Sequence, residues 1–139
     1  SVRPWALPHG APARGLATYT VQVKDRCMLA HSFAGEEFGP AQQLHGATFV
    51  VHAAFIGEKL VPPNNTLLDI GAAFSILSAA LDPLRYQNLD DNADFSGENT
   101  TVERVCRAVW EGVARRLPLP GPSGGGVRRL RVRIEESDV

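Results

Sequence analysis

Two histidines lie near the ends of two segments with strand-like composition, and neutral imidazole is a common ligand of zinc in proteins. His31 lies near the end of the segment ATYTVQVKDRCMLAHSF, and His45 opens the segment HGATFVVHAAFI. If the two segments pair as a hairpin across residues 34–44, both imidazoles meet at one end of a sheet, where rigid strand ends hold ligands well. The alternative is that both histidines are structural, because two histidines alone do not define a metal site.

The composition narrows the classes of function. The chain of 139 residues fits one domain with a sizeable core, and its 14 basic residues nearly balance its 15 acidic ones. We expect no nucleic-acid partner, since such a protein usually carries a basic excess. The arginines of VRRLRVRI alternate with Val and Leu, which indicates the solvated face of a strand.

Cysteine usage and hydropathy indicate the compartment. Cys27 and Cys106 are far apart and form no CxxC pair, so we expect reduced thiols and a cytoplasmic location. No segment approaches the ~20 apolar residues that a membrane span needs, and we expect no membrane association.

Hydrophobic periodicity predicts the elements that must position the histidines. Residues 1–16 are rich in proline and glycine and indicate an extended arm, followed by one domain over residues 17–139. Within the domain the pattern predicts a strand over 17–33 with a bulge near Asp25–Arg26, and a strand over 45–56. Further along it predicts a helix over 71–81, an amphipathic helix capped by Thr100 or Thr101, and a last strand, VRRLRVRIEES.

This order predicts an α+β domain, with an antiparallel sheet and two helices on one of its faces. A sheet of three strands exposes two edges, and open edges favour pairing with another subunit.

Six motifs in order resemble the 6-pyruvoyl-tetrahydropterin synthase / 6-carboxytetrahydropterin synthase family over about residues 18–138. They are AHSF, LHGATF, LLDIGAAFSILSAAL, NLDD, TTVERVCRAVW and RVRIEES. The resemblance implies the tunnelling fold (T-fold), in which subunits join their sheets into a barrel with active sites between them. It also implies a homo-oligomer (trimer-based or hexameric), a bound zinc ion and a dihydroneopterin triphosphate substrate.

The resemblance makes the histidines candidate metal ligands, with one position changed. Family members hold zinc with one histidine on the first strand and a His-Gly-His on the second; here His31 and His45 match, whereas Ala47 replaces the third histidine. Residues 45 and 47 share a strand face, but His52 differs from them by an odd number and points to the other face.

A replacement ligand would have to come from elsewhere. The carboxylates that we consider are Glu36, Glu37 and Asp69, with water as a further ligand, and two histidines with a carboxylate suit zinc or iron(II). The alternative is that no metal binds.

The catalytic positions of the family also differ. Its cysteine in the loop before His-Gly-His corresponds to Ala41, and its Asp-His pair corresponds to Arg85 and Tyr86 when NLDD is aligned. Alignment on LDP retains Asp82 but puts Pro83 in place of the histidine. We therefore name Tyr86 and Arg85 as candidate catalytic residues, although an ordinary phenol is a poor base at neutral pH.

The substrate-recognition positions are retained. The resemblance makes Glu136 the pterin anchor, because a carboxylate accepts two parallel N–H bonds from a 2-amino-pyrimidinone edge. It makes Thr101 a second substrate-binding residue, in a Thr-x-Glu motif completed by Glu103. The alternatives are that Glu136 is a solvated strand-end charge and that Thr101 only caps its helix.

Two functions remain in view. The first is a divergent pterin-type lyase, which eliminates phosphate by carbon–oxygen cleavage without the usual cysteine and Asp-His pair. The second is a non-catalytic homologue that binds a pterin or purine, or acts as a partner subunit.

Overall fold

The computed structural model describes residues 18–118 and 126–137, which include the predicted strands and helices except for residue 17. The elements are β1 (Tyr19–His31), β2 (His45–Gly57), α1 (Ile70–Leu81), α2 (Val102–Ala114) and β3 (Val127–Ser137), with short 3₁₀ segments at Glu36–Gln42, Leu89–Asp91 and Ala93–Phe95. The predicted order is confirmed. The arm predicted for residues 1–16 lies outside the described residues.

The three strands form one antiparallel sheet in the order β1-β2-β3. β1 and β2 pair in continuous register from Tyr19 opposite Gly57 to His31 opposite His45. The bulge predicted near Asp25–Arg26 is therefore wrong. The pattern breaks there because Asp25 turns a carboxylate toward the helices, where Arg85 Nη2 donates to it at 2.6 Å.

The core lies between the sheet and the two helices. Odd-numbered residues of β1 and β2 and even-numbered residues of β3 face the helices, as the strand period of two requires. The largest fully buried apolar side chains include Phe49, Phe55, Leu77, Leu81, Val105 and Val109. Burial of each such side chain contributes about 1.5–3 kcal/mol, and this packing fixes β2 beneath the helices.

Each helix begins at a side-chain cap. Asp69 accepts a hydrogen bond from Ala72 N at 2.9 Å and starts α1, and Thr101 accepts one from Arg104 N at 3.3 Å and starts α2. The helices pack closely where Gly112 faces Ala80, since a Cβ at Gly112 would lie 3.2 Å from that of Ala80. Among the described helices, none combines the length and the hydropathy of a membrane span.

The Cys27 thiol gives a test of this core. Cys27 is buried beneath the helices, and burial raises the pKa of its thiol to about 11. At pH 8 only about one thiol in a thousand is then ionised. We expect a thiol reagent to label Cys27 rapidly in denaturant and very slowly in the native protein, as read by mass spectrometry of the Cys27 peptide. Equal labelling rates in both states would contradict this packing.

Candidate functional site

The two histidines lie side by side at one end of the sheet. His31 ends β1 and His45 begins β2, and the register pairs them directly. Their ring centroids are 4.6 Å apart, on the sheet face that the helices cover. The predicted convergence of the two imidazoles is confirmed, and it follows from the direct pairing of the end of β1 with the start of β2.

Glu136 completes a group of three potential ligands. β3 adds to the other edge of β2 with Glu136 opposite Phe49, so its side chain belongs to the same face as the histidines. The ligand atoms of His31, His45 and Glu136 all lie within 4.8 Å of one another. His31 is fully buried, His45 is half-buried and Glu136 is exposed, so the group opens to solvent on the carboxylate side.

Hydrogen bonds to backbone carbonyls set the tautomers of both rings. His31 Nδ1 lies 3.0 Å from the carbonyl oxygen of Thr100 and 3.0 Å from its hydroxyl, and His45 Nδ1 lies 2.8 Å from the carbonyl oxygen of Gln43. A carbonyl only accepts, so each Nδ1 carries the proton and each Nε2 keeps its lone pair. His31 Nε2 is buried and has no hydrogen-bond partner among the described residues.

The electrostatic environment keeps His31 neutral. Burial and the neighbouring His45 lower the pKa of His31, while the contact with Thr100 and the carboxylates of Glu136 and Asp90 act in the opposite direction. Because an ordinary histidine already titrates near 6.5, a lowered pKa leaves the ring uncharged at neutral pH. A neutral imidazole is the form that binds a metal.

Aromatic rings surround the histidine pair. The rings of Phe33 and His31 are 4.7 Å apart edge-on, and Phe38 extends the stack at 4.9 Å from Phe33. The hydrogen bond from Phe33 N to Ala41 O, at 3.0 Å, ties the start of the connecting segment to its end. These rings limit the access of water to the imidazoles and hold their orientation.

A polar cavity of about 440 Å³ adjoins this aromatic wall. Phe33 borders both the cavity and the histidines, and Asp90, Glu98 and Asn99 line its far side. Asp90 accepts hydrogen bonds from the amide and hydroxyl of Ser32, at 3.0 and 2.6 Å, which fixes the chain directly after His31. The cavity has room for a small polar ligand, but its lining includes none of His31, His45 and Glu136.

The carboxylates considered as replacement ligands lie elsewhere. Asp69 caps α1, and Glu36 and Glu37 are exposed on the 3₁₀ segment; none of them joins the group that contains His31 and His45. Ala47 is buried on the same face as His45 and offers only a methyl group. Sequence analysis selected Glu136 for pterin binding but not as a metal ligand, because its approach to the histidines depends on the register of β3.

His52 lies on the opposite sheet face, as its parity predicts. Its Nε2 is 3.7 Å from Glu135 Oε1, and neither residue belongs to the group around His31.

Arg85 and Tyr86 lie away from the histidines along the edge of β1. The guanidinium of Arg85 donates to Asp25 Oδ2 and to the carbonyl oxygen of Arg26, both at 2.6 Å. The hydrogen bond with Asp25 is the first cause that raises the pKa of Arg85. Tyr86 N donates to Met28 O, three residues or about 10 Å along β1 from His31, and the tyrosine is 81% exposed. Their catalytic role stays a prediction.

The two threonines before α2 have different surroundings. Thr101 is the N-cap, as one interpretation of the sequence predicted, whereas its neighbour Thr100 is buried and contacts His31. A contact between residues 69 positions apart has no local pattern, so the sequence alone could not identify Thr100 as a site residue.

Comparisons with known proteins agree with this architecture. The family model described as 6-pyruvoyl tetrahydropterin synthase matches residues 20–139. The Caenorhabditis elegans 6-pyruvoyl tetrahydropterin synthase structure is 20% identical, with a TM-score of 0.67, and the match covers 89% of this chain and 97% of that one. No curated protein matches the chain.

Two Plasmodium vivax structures have the same fold. The 6-pyruvoyl tetrahydropterin synthase of that organism is 11% identical with a TM-score of 0.68, and a catalytic-residue mutant of it is 12% identical with the same score. In both cases 87% of this chain and 96% of the other are covered. At such identities the structures establish the fold, and the match over residues 20–139 establishes the family: the chain belongs to the 6-pyruvoyl tetrahydropterin synthase family.

Proposed function

We propose that this protein is a divergent, metal-binding lyase of the family that acts on a pterin-type substrate. The observation that carries the proposal is the group formed by His31, His45 and Glu136, whose ligand atoms lie within 4.8 Å of one another. Two imidazoles and a carboxylate are a donor set suited to zinc or iron(II). The Nε2 of His31 is buried and has no hydrogen-bond partner within residues 18–118 and 126–137, and such an ion would satisfy it.

The candidate ligands and their neighbours have separate tasks in this proposal. His31 and His45 would hold the ion through Nε2, and Glu136 would take the place left by Ala47. A divalent ion supplies Lewis acidity toward a carbonyl or hydroxyl of the substrate side chain. The carbonyl oxygens of Thr100 and Gln43 keep the imidazole protons on Nδ1.

Proton transfer requires other groups, because Ala41 stands at the position of the cysteine that the family uses. A glutamate replaced by alanine is described as a catalytic residue in the Plasmodium vivax enzyme, which supports a carboxylate in this task. Glu36 and Glu37 are exposed carboxylates on the segment that joins the two histidine strands. Tyr86 is a second candidate, exposed to reach a neighbouring subunit, and Arg85 would position it through the contacts with β1.

The proposal includes a homo-oligomer that is trimer-based or hexameric, with sheets joined into a barrel. The outer edge of β3 and the first part of the outer edge of β1 support it, because each offers backbone groups to another strand. The last part of β1 is already bonded to residues 85–88 of the same chain. Cys27 and Cys106 are both free thiols, which supports a cytoplasmic location. A pterin would lie near Thr101 and the open side of the group that contains Glu136.

The second candidate function is a non-catalytic pterin- or purine-binding homologue. Ala41 favours it, since a methyl group cannot act as acid or base. The ion pairs of the Arg85 guanidinium with Asp25 and Asp82 also favour the non-catalytic function. Those contacts leave the guanidinium little freedom to reach a substrate.

Metal loading and turnover distinguish the two functions. We expect the protein to bind one zinc or iron(II) ion per chain and to convert dihydroneopterin triphosphate when loaded. His45→Gln should weaken metal binding by more than the ~10–100-fold typical of losing an outer-shell partner. Calorimetry measures the affinity, and chromatography of pterin products measures the turnover. Tight neopterin binding without metal or product would support the non-catalytic function instead.

The role of Glu136 is tested by Glu136→Gln with Glu135→Gln as the matched control. If Glu136 is a metal ligand, its neutral variant should bind zinc at least about tenfold more weakly, whereas the control, on the other sheet face, should bind normally. If Glu136 only anchors the pterin, zinc affinity will stay unchanged and neopterin affinity alone will fall. Isothermal titration of each ligand separates these results.

The role of Thr100 is tested by an isosteric and a conservative change. Thr100→Val removes the hydroxyl that lies 3.0 Å from His31 Nδ1 but keeps the side-chain volume and the backbone carbonyl. We expect Thr100→Val to bind zinc up to about tenfold more weakly than the wild type, at the low end of the effects of losing an outer-shell partner. Thr100→Ser should bind zinc with the wild-type affinity. Equal affinities for all three proteins, at equal thermal stability, would show that the hydroxyl does not orient the ligand.

A further inference from the structure

The side-chain amide of Asn99 is bonded through both its oxygen and its nitrogen to one residue of the segment that follows β1. Ala34 N donates to Asn99 Oδ1 at 2.8 Å, and Asn99 Nδ2 donates to Ala34 O at 2.9 Å. A backbone N–H only donates and a carbonyl only accepts, so this pairing fixes the orientation of the amide. Asn99 therefore holds the backbone of Ala34 at two points, across 65 positions of the sequence.

Both sequence neighbours of Phe33 are held by residues from the same distant part of the chain. Before Phe33, the amide and the hydroxyl of Ser32 donate to Asp90 at 3.0 and 2.6 Å. After Phe33, the two bonds with Asn99 hold Ala34. Because the backbone is fixed on both sides of Phe33, the direction in which its side chain leaves the backbone is fixed as well.

Phe33 packs against both imidazoles of the candidate site. Its ring centroid is 4.7 Å from that of His31 and 5.8 Å from that of His45, with interplanar angles of 64° and 83°. Phe33 also lines the polar cavity of about 440 Å³, whose lining includes Asn99 but neither histidine. A displacement of the Phe33 ring would therefore open the histidine pair to that cavity.

We propose that Asn99 is a positioning residue for the pair formed by His31 and His45. It acts through Ala34, whose placement keeps the Phe33 ring against both imidazoles. The inference rests on the proposed function, because a metal ion is bound best by ligands that their surroundings already hold in one orientation. Without the amide of Asn99, the Phe33 ring gains freedom to leave the imidazoles. Rings that have become mobile must be ordered again when they bind, which lowers affinity.

A role of Asn99 in general stability alone predicts a different result. In that case the loss of its amide loosens the whole fold, and buried imidazoles on both faces of the sheet become accessible together. His52 lies on the face opposite to His31, with its side chain 13% exposed and both ring nitrogens buried. His52 therefore reports general loosening, whereas His31 reports the position of Phe33.

Carbethoxylation of the full chain by diethyl pyrocarbonate, after removal of metal by a chelator, tests the proposal. The reagent attacks the lone pair of a neutral imidazole, and peptide mass spectrometry gives the rate at each histidine. We expect Asn99→Ala to raise the rate at His31 at least about twofold, the lower limit for the loss of a hydrogen bond. The rate at His52 should stay unchanged.

Asn92→Ala is the matched control for this labelling. It also removes a bond from an asparagine side chain to loop backbone, since Asn92 Oδ1 accepts from Asp94 N at 2.9 Å. We expect the rates at His31 and His52 in this variant to equal those of the wild type.

Two further measurements show whether Asn99 acts through Phe33. Phe33→Leu should also raise the rate at His31, and adding Asn99→Ala to it should change that rate little, because changes along one path are not additive. Calorimetric titration with zinc should show about two- to tenfold weaker binding by Asn99→Ala than by the wild type. If the wild type binds no zinc, the proposed metal site fails, and the labelling rates still decide the role of Asn99.

Other results of the labelling would overturn the proposal. An unchanged rate at His31 in Asn99→Ala would mean that the amide does not position the rings. Equal increases at His31 and His52 would show a loss of general stability alone. An increase in Asn92→Ala as large as that in Asn99→Ala would mean that the effect is not specific to the contact with Ala34. Circular dichroism of each variant ensures that folded proteins are compared.

Discussion

The in-register pairing of β1 with β2 is the constraint on which the candidate site depends. Because strand side chains alternate with a period of two, a slip of one residue would send His31 and His45 to opposite faces. The continuous register from Tyr19 to His31 prevents this. The buried residues of β2 hold it in place, since a slip would also expose Phe49. The core and the site are thus specified by the same pairing.

The site combines satisfied and unsatisfied polar atoms on the same rings. The Nδ1 atoms of His31 and His45 have carbonyl partners, whereas the buried Nε2 of His31 has none. A buried nitrogen without a partner destabilises the folded chain, and the surrounding phenylalanine rings contribute packing that offsets this cost. Such an arrangement stabilises one orientation of each imidazole and leaves its lone pair available to a ligand.

The sheet separates two chemical environments. The helix-covered face ends in two imidazoles and Glu136, while the other face carries the exposed basic residues Lys24, Arg131 and Arg133. Strand alternation makes this separation sharp, because adjacent residues such as Glu135 and Glu136 belong to different faces. Charge balance over the whole chain therefore conceals a strongly basic surface, which the composition alone does not reveal.

The changes from the family pattern are local and leave the fold intact. Ala47 still packs beneath the helices as a small apolar residue, and Ala41 still accepts the hydrogen bond from Phe33 N through its backbone carbonyl. These positions can lose their chemical groups without losing their structural contacts. The Glu136 carboxylate, which comes from a different strand, lies close to both histidines.

Much of the architecture could be predicted because its signals are local. Alternating residues predicted three strands, 3.6-residue periodicity predicted two helices, and the positions of His31 and His45 predicted that their rings meet. The bulge predicted near Asp25 was wrong, and it was predicted because a polar residue interrupts the alternating pattern there. The strand is regular there because Arg85, distant in the chain, neutralises the carboxylate.

Only the tertiary structure decided which distant groups complete the site. Thr100 contacts His31 because the start of α2 packs against the end of β1, and Glu136 approaches because β3 pairs with β2 in one particular register. Neither contact has a local pattern, since each depends on how whole elements are placed by burial of the core. The chain thus encodes its strands, helices and histidine pair locally, whereas the positions of Glu136 and Thr100 beside the histidines result from packing.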